Sequence, residues 1–269
     1  MTPPRTATAR ERARAELTRE IKEEARRQLG ATGADGLSLR AVARELGMVS
    51  SALYRYYPSR DDLLTALIID AYDSVGEAAE RAVADTRAAN TVSALAVSAP
   101  AAGSSGECWV AACHAIRGWA RSNPHEYALI YGSPVPGYRA PEATVGPAAR
   151  VPVLLAGIVQ AALSAGELAA REKALPVSSA LAEQASTVSV ELARLTAATG
   201  SEAGDRASAA VPADVLVRVV IAWTQLFGMI SFELFGQFVG SFEPADALFA
   251  HTVVQLAAFV GLGEQAFLD

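Results

Sequence analysis

The chain has 269 residues, about half of them hydrophobic, which is enough for one large domain or two smaller ones with a substantial core. Ala, Leu and Val dominate and aromatic residues are few, a mixture that favours an all-α protein. The net charge of −6 is unevenly spread: residues 1–60 hold twelve Lys or Arg against seven Asp or Glu, and the rest holds eleven against twenty-two. A basic first part on an acidic body indicates that only the first part meets a polyanion.

Several classes of site and location are not expected. Cys108 and Cys113 are five positions apart, on different faces of a helix, so we expect two buried thiols in a reducing cytoplasm rather than a disulfide or a metal pair. The histidines lack metal-ligand spacing, so no metal and no cofactor is expected. No signal peptide is visible, and the longest uncharged apolar stretches, 151–166 and 219–232, fall short of the roughly 18 residues of a membrane span.

Helical periodicity runs through the whole chain and strand-like alternation does not, which predicts about ten helices. In chain order the predicted helices cover residues 8–29, 38–46, 49–57, 60–87, 107–122, 125–131, 148–165, 177–199, 213–238 and 244–261. Residues 90–106, 132–147 and 200–212 are rich in Gly, Pro, Ala or Ser and are predicted loops or linkers. Ser38 and Ser59 are predicted helix caps, and Pro58 is expected to end the third helix.

Residues 37–64 carry the most informative pattern. Two short helices meet at Gly47, an arrangement typical of a helix-turn-helix whose second helix enters the major groove of DNA. An apolar stripe on the first helix can pack against Ala52 and Leu53 of the second, and Tyr57 is expected to close the core. The residues left to face outward are Val49, Ser50, Ser51, Tyr54, Arg55 and Tyr56.

The segment from Gly47 to Leu63, GMVSSALYRYYPSRDDL, resembles the signature of TetR-type transcriptional regulators, and the similarity covers residues 37–67. In that signature a glycine turn leads into a recognition helix that ends in Tyr-x-His/Tyr-Phe, and a Lys or Arg opens the next helix. Val49 stands where the family often has a capping serine, so Ser50 is an alternative cap. Residues 127–141 and 223–228 resemble the C-terminal domain of a TetR subgroup named for a Trp-His-Gly pattern, with Phe227 at the histidine position.

The resemblance implies a set of DNA contacts. Ser38 and Arg40 would approach the DNA backbone, and the hydroxyl groups at the start of the recognition helix would face the groove. The two tyrosines would donate to phosphates, and Arg60 would make a charge-assisted phosphate contact. Arg55 would read a guanine edge or touch a phosphate, or else is a solvated charge. The full predicted set is Ser38, Arg40, Val49, Ser50, Ser51, Tyr54, Arg55, Tyr56 and Arg60.

Aromatic residues of the second domain are candidates for lining a ligand cavity, although each of them alone is also an ordinary core residue. Gln225 and Glu233 are polar residues in an apolar helix, and Glu233 is expected to face a pocket, the subunit interface or the surface. The predicted ligand-binding set is Trp109, Trp119, Tyr127, Tyr131, Trp223, Phe227, Phe232 and Glu233.

The last two helices have more apolar residues than one bundle face needs, which predicts a homodimer through them. The residues of this stripe are Val215, Val219, Ala222, Leu226, Val253, Leu256, Ala257 and Val260. A dimer also suits DNA, because two recognition helices must lie roughly 34 Å apart to read a palindrome.

The sequence therefore predicts an all-α protein with a helix-turn-helix DNA-binding domain over residues 1–60 and a ligand-binding and dimerisation bundle over residues 61–269. Its expected function is that of a one-component regulator, a repressor released from a palindromic operator by a small lipophilic effector. The alternatives are an effector-independent DNA-binding dimer and an enzyme on a helical bundle. Because no nucleophile elbow, phosphate loop or paired carboxylates are visible, we expect no enzyme.

Overall fold

Helices account for the regular structure in a computed structural model that describes residues 8–96, 104–169, 176–198 and 211–263. Within those ranges extended pairing is confined to one isolated bridge between Leu168 and Leu262. The helices are α1 (Ala9–Thr32), α2 (Leu39–Glu45), α3 (Ser50–Leu53), α4 (Arg60–Ala96), α5 (Ser104–Ser122), α6 (Pro124–Tyr131), α7 (Val145–Ala165), α8 (Ser179–Ala198), α9 (Ala213–Leu234) and α10 (Asp246–Val260). The predicted all-α class is confirmed, together with a helix-turn-helix formed by α2 and α3.

Helices α3 and α4 differ most in length from the prediction. Helix α3 ends at Leu53, because the N–H groups of Arg55 and Tyr56 bond three residues back and tighten the last turn before Pro58. Helix α4 continues to Ala96, so the start of the predicted linker over 90–106 is helical. Residues 97–103 of that linker, and 200–210 of the predicted loop over 200–212, lie outside the described residues.

The chain divides into two compact units, and the first comprises residues 1–71 and 123–144. Its core is made of apolar residues that repeat at helical spacing on α1, α2 and the start of α4, joined by Leu53 and Tyr57. The fully buried members include Ile21, Ala25, Val42, Ala43, Leu53, Leu63, Leu64 and Tyr127. Burying each of the larger side chains stabilises the unit by roughly 1.5–3 kcal/mol, which is what holds α3 on its scaffold.

Helix α6 belongs to this first unit, although α5 and α7, its neighbours in sequence, do not. The Arg26 guanidinium donates to Glu126 Oε1 at 2.9 Å and to Asp70 Oδ2 at 2.7 Å, so one α1 side chain holds both α6 and α4. Farther along, the hydroxyl groups of Thr65 and Tyr138 are hydrogen-bonded at 2.9 Å. The compact units therefore do not coincide with the predicted domains of 1–60 and 61–269.

The second unit comprises residues 72–122 and 145–269, of which the described part contains the rest of α4 and helices α5, α7, α8, α9 and α10. Trp109, Ile116, Leu155, Leu216 and Phe249 are fully buried in it. These side chains come from α5, α7, α9 and α10, so the unit is a helical bundle around an apolar core.

Two helical segments of the described chain, 142–165 and α9, are long and apolar enough to cross a membrane by length and composition alone. The uncharged stretches that overlap them, 151–166 and 219–232, remain shorter than a membrane span, because the longer segments also include charged residues such as Arg150 and Arg218. Both segments have buried residues within the bundle, and core helices of globular proteins meet the same test.

Candidate functional site

The turn between α2 and α3 positions the candidate DNA-binding surface. Ser38 caps α2 as predicted, since its hydroxyl accepts from the Ala41 N–H at 3.4 Å. Gly47 adopts φ +65°, a left-handed conformation that favours glycine, and the Met48 N–H then donates to Ala43 O at 2.8 Å. This turn brings Leu53 back onto the apolar stripe of α2, where it is completely buried. Helix α3 thus has one face anchored and the other exposed.

The first residue of α3 is Ser50, because Val49 occupies the N-cap position with extended backbone and without a side-chain hydrogen bond to the helix. The alternative in which Ser50 is the cap is wrong. Val49 is 70% exposed, so its methyl groups face solvent at the start of the exposed face of α3.

The predicted groove-facing residues share one surface on α3 and the turn that follows it. Ser51, Tyr54 and Arg55 are exposed, and Ser50 and Tyr56 are half-buried. Tyr57, predicted as a core aromatic, is buried, and burial raises the pKa of its hydroxyl. The sequence therefore separated the outward tyrosine from the inward one correctly.

Charges around this surface are unevenly paired. Arg44 and Arg60 lie near Glu45 and Asp61, at 3.5 and 3.7 Å. Arg40 and Arg55 are both exposed, and neither has a carboxylate partner within the part of the chain that the structure describes. An unpaired guanidinium keeps its full capacity for phosphate or guanine.

Arg60 has partners that the sequence did not suggest. Its Nη2 donates to Ala34 O at 2.7 Å and its Nε donates to Leu37 O at 3.3 Å. The side chain therefore ties the first turn of α4 to the loop before α2, whereas the sequence assigned it to a phosphate. The carbonyls it binds lie 23 and 26 residues away, too far for any local pattern to indicate.

The predicted ligand-binding residues are divided between the two units. Tyr127 and Tyr131 belong to α6 in the first unit, where their rings lie 5.2 Å apart and Tyr127 is fully buried. Their predicted role in ligand binding stays a prediction. Burial and aromatic character are shared by core and cavity residues, so the sequence had no signal to separate the two.

The three tryptophans of the second unit differ in whether their indole N–H group has a hydrogen-bond acceptor. Trp119 Nε1 donates to the Ser74 hydroxyl at 2.8 Å. In contrast, Trp109 Nε1 and Trp223 Nε1 are buried, and neither has a hydrogen-bond acceptor among the described residues. The Trp223 ring meets Phe227 edge to face at 6.0 Å. Phe232 is 53% exposed, so it does not line the interior of the bundle as predicted.

Glu233 is an ion-pair partner rather than a pocket residue. Its carboxylate accepts from Arg117 Nη2 at 2.6 Å and Nε at 2.7 Å, a bidentate geometry. Arg117 is itself buried, reaches Asp246 Oδ1 at 2.9 Å and stacks on the Phe249 ring at 4.6 Å. The hydrogen bond from Arg117 and its charge lower the pKa of Asp246. Helices α5, α9 and α10 are therefore joined at one charged cluster.

A groove of about 610 Å³ lies along α9 and α10 in the second unit. Its lining includes Ile221, Gln225, Gln255, Leu256 and Phe259. None of the predicted ligand-binding residues lines it, whereas two other residues singled out from the sequence do: Gln225, and Leu256 of the stripe predicted for dimerisation.

The apolar stripe predicted for dimerisation is buried within the protomer. Val215, Val219, Ala222, Leu226, Val253, Leu256, Ala257 and Val260 are all buried, so the prediction that they form a subunit interface is wrong. Exposed large apolar side chains occur instead on α8 and α9, at Leu181, Val188, Val190, Val220, Ile221 and Phe232. Periodicity identifies an apolar face of a helix but not the partner that covers it.

Within the described ranges no group of three His, Cys, Asp or Glu side chains is placed to hold a metal ion. Cys108 and Cys113 are both buried and unbonded, as predicted, and burial raises the pKa of each thiol. Neither thiol is therefore activated as a nucleophile.

Two family descriptions match the chain. Residues 21–67 match the bacterial regulatory proteins of the tetR family, and residues 109–256 match the tetracyclin repressor-like C-terminal domain. HTH-type transcriptional regulators of Mycobacterium bovis and Mycobacterium tuberculosis are 37% identical over 227 residues, which is 84% of this chain and 84% of theirs.

Solved structures show the same similarity. One, described as a regulatory protein, is 32% identical, covers 93% of this chain and 100% of its own, and superimposes with a TM-score of 0.65. A second, described as a tetR family transcription regulator from Shewanella sp. PV-4, is 17% identical, covers 91% and 95%, and has a TM-score of 0.50, which bears on the fold alone.

Proposed function

The chain belongs to the TetR family of bacterial regulatory proteins and is a DNA-binding transcriptional regulator, and on that premise we propose that it is a repressor released from a palindromic operator by a small lipophilic effector. The observation that carries the DNA-binding part is the exposed face of α3, held outward by the buried Leu53 and Tyr57. The names of its relatives point to regulators rather than enzymes. A protein that acts on chromosomal DNA works in the cytoplasm.

For the DNA contacts, we propose that α3 enters the major groove with Ser50 and Ser51 at the base edges and the exposed Val49 beside a thymine methyl group. The hydroxyl groups of Tyr54 and Tyr56 donate to phosphates on either side. Arg40 and Arg55, which lack acidic partners in the described chain, bind phosphate or guanine, and Ser38 approaches the backbone from the cap of α2. Arg60 supports this surface through its bonds to Ala34 and Leu37.

For assembly, we propose a homodimer in which α8 and α9 of each protomer meet their copies. The support is the exposed apolar side chains of these two helices, among them Leu181 and Val188 of α8 and Ile221 and Phe232 of α9. Helix α10 has no exposed large apolar side chain among its described residues. Of the last two helices, α9 therefore keeps the predicted role in dimerisation, and α8 takes the place of α10. A two-fold dimer places two copies of α3 on the two halves of a palindrome.

Tyr54→Ala is expected to weaken operator binding by about tenfold to a hundredfold, because a hydrogen bond to a charged phosphate contributes about 1.5–3 kcal/mol. The measurement is fluorescence anisotropy with an operator fragment selected from the source genome. Tyr54→Phe removes the hydroxyl group alone and should account for most of the loss. Light scattering should show the same dimer for all three proteins; a Tyr54→Ala protein that lost the dimer would mean that Tyr54 supports the fold rather than DNA.

The effector is supported by the two buried indole N–H groups of Trp109 and Trp223. A buried donor without an acceptor costs about 1–3 kcal/mol, and a ligand oxygen that accepted from it would recover that energy. We therefore expect a lipophilic effector with at least one acceptor oxygen.

Native mass spectrometry of the protein purified from its source should detect a small molecule that is lost on denaturation and whose addition releases the operator. The contrary result is a protein that carries no ligand and stays bound to its operator when small molecules extracted from the cells are added. That result would favour an effector-independent dimer.

A further inference from the structure

The cations of helix α1 fall into two groups. In its second half the side chains are neutralised: Arg19 pairs with Glu16 and Glu23, Arg27 pairs with Glu24, and Lys22 and Arg26 meet Asp70. In its first two turns Arg10, Arg12 and Arg14 are all exposed, and none of them has a carboxylate partner in the described ranges. A free positive charge is therefore concentrated at the start of the helix.

Glu11 is the acidic residue among these arginines, and its side chain is hydrogen-bonded to Thr8 at the start of the helix. Its Oε2 accepts from the Thr8 N–H at 2.7 Å and from the Thr8 hydroxyl at 3.0 Å, while Thr8 in turn accepts from the Glu11 N–H. This reciprocal pair is a capping box, and its hydrogen bonds lower the pKa of Glu11. The carboxylate thus bonds to Thr8 at the helix end, and within the described residues it forms no ion pair with Arg10, Arg12 or Arg14.

One of these arginines lies beside the proposed recognition surface. The Arg14 Cζ is 5.7 Å from the centre of the Tyr56 ring, in the turn directly after α3. The contact is a cation–π interaction, which positions the guanidinium and leaves its N–H groups free to donate. Arg10 lies four residues earlier, on the same face and about 6 Å farther along the helix axis. Arg12 points to nearly the opposite face, about 200° from both.

We propose that Arg10 and Arg14 bind DNA phosphates that flank the half-site read by α3, so that each protomer contacts DNA beyond the helix-turn-helix. The inference rests on the proposed function, because it extends the same DNA surface. Arg14 is placed by Tyr56, a residue already assigned to a phosphate, and Arg10 continues the row outward along α1. Guanidinium groups bind phosphate bidentately and without regard to base sequence.

The salt dependence of binding distinguishes this arrangement from a helix-turn-helix alone. Arg40 and Arg55 supply four unpaired cations per dimer, for which log affinity should fall with log salt at a slope of about −3.6. Adding Arg10 and Arg14 makes about eight cations and a slope of about −7. Between 50 and 200 mM salt the first case loses roughly 150-fold in affinity and the second roughly 20,000-fold.

The test is anisotropy titration of the full-length dimer at several salt concentrations, with a genome-selected operator fragment that includes five flanking base pairs on each side. The Arg10→Ala/Arg14→Ala variant should bind more weakly and with a slope about 3.6 units shallower than wild type. Arg12→Ala is the control and should keep the wild-type slope, since it removes one positive charge per protomer from the other face; a phosphate contact by Arg12 would make the slope about 1.8 units shallower. Alanine favours helix, so the helical content should not change by circular dichroism.

Three results with the flanked duplex would overturn the inference. The first is a double variant with the wild-type slope of log affinity against log salt, and the second is an Arg12→Ala variant whose slope changes as much as that of the double variant. The third is a loss of affinity in the double variant that depends on the base sequence of the flanks, which would mean that the arginines read bases in a groove. A second duplex, trimmed to the two half-sites, removes the flanking phosphates. Wild type should bind it more weakly than the flanked duplex, and the double variant should bind both duplexes with the same affinity. Equal binding of both duplexes by wild type would also overturn the inference. A wild type that binds no genomic fragment would instead refute the DNA-binding proposal itself.

Discussion

Replacing Arg117 by methionine is expected to lower the free energy of unfolding by about 3–5 kcal/mol, because it removes the bidentate partner of Glu233 and leaves that largely buried charge only the exposed Arg121 at 3.9 Å. The side chain of Arg117 is 7% exposed and that of Glu233 is 16% exposed, so water can replace little of the lost ion pair. Methionine keeps much of the aliphatic stem, so the variant removes mainly the guanidinium, with its ion pairs and its contact with the Phe249 ring. The measurement is denaturant unfolding at a fixed protein concentration, since dimerisation also adds to apparent stability.

Arg121 provides the matched control for this cluster. It is 53% exposed and lies 3.9 Å from Glu233 and 3.3 Å from Asp246, so Arg121→Met should cost less than about 1 kcal/mol. Removing both buried charges, in Arg117→Met/Glu233→Leu, should recover most of the stability lost in the single variant. If the single variant were as stable as wild type, the cluster would have no role in joining α5 to α9 and α10.

The same cluster predicts a pH dependence. Arg117 holds the pKa of Asp246 below its ordinary value, first through a hydrogen bond and then through its charge. A carboxyl group whose pKa is lowered by folding stabilises the protein above its unfolded pKa, and that contribution is lost as the pH falls through the folded pKa. We therefore expect the stability lost below about pH 4 to be smaller in Arg117→Met than in wild type.

Tyr127→Ala is expected to cost about 3–5 kcal/mol and to remove operator binding, because the side chain is fully buried in the unit that contains α2 and α3. Loss of a large aromatic group there leaves a cavity in the scaffold that holds the recognition surface. Unfolding can be followed by circular dichroism, and DNA binding by anisotropy at the same temperature.

Tyr131, half-buried on the same helix and 5.2 Å from the Tyr127 ring, is the control. Tyr131→Ala should cost clearly less, since fewer of its contacts are lost and water can fill the space. The sequence suggested that Tyr127 lines a ligand cavity. If that were so, Tyr127→Ala would alter the effector response with little change in stability, which is opposite to the result expected here.

The sequence was most informative where structure depends on near neighbours. The cap at Ser38, the turn at Gly47 and the inward Tyr57 were all predictable, because each depends on residues a few positions away. The capping residue of α3 was harder, since Val49 occupies that position without any side-chain bond to mark it. The resemblance to the TetR signature rested on this same short segment.

Long-range partners could not be predicted from the chain. Glu233 looked like an odd polar residue in an apolar helix because Arg117, its partner, lies 116 positions earlier. Likewise, Arg26 and Glu126 are 100 positions apart, and nothing in either local pattern shows that α6 joins the unit of α1. Ion pairs of this kind depend on which helices pack together, and packing is decided by the whole set of apolar faces at once.

By itself, the sequence determined that this protein is all-helical, that residues 37–64 form a helix-turn-helix, and which side chains of α3 turn outward. Those properties follow from capping, turn chemistry and helical period, which act over one or two turns of chain. Only the tertiary structure decided that the apolar stripes of α9 and α10 belong to the protomer's own core. It likewise decided that the exposed apolar side chains lie on α8 and on another part of α9. Two apolar faces with the same period are equivalent until folding covers one of them.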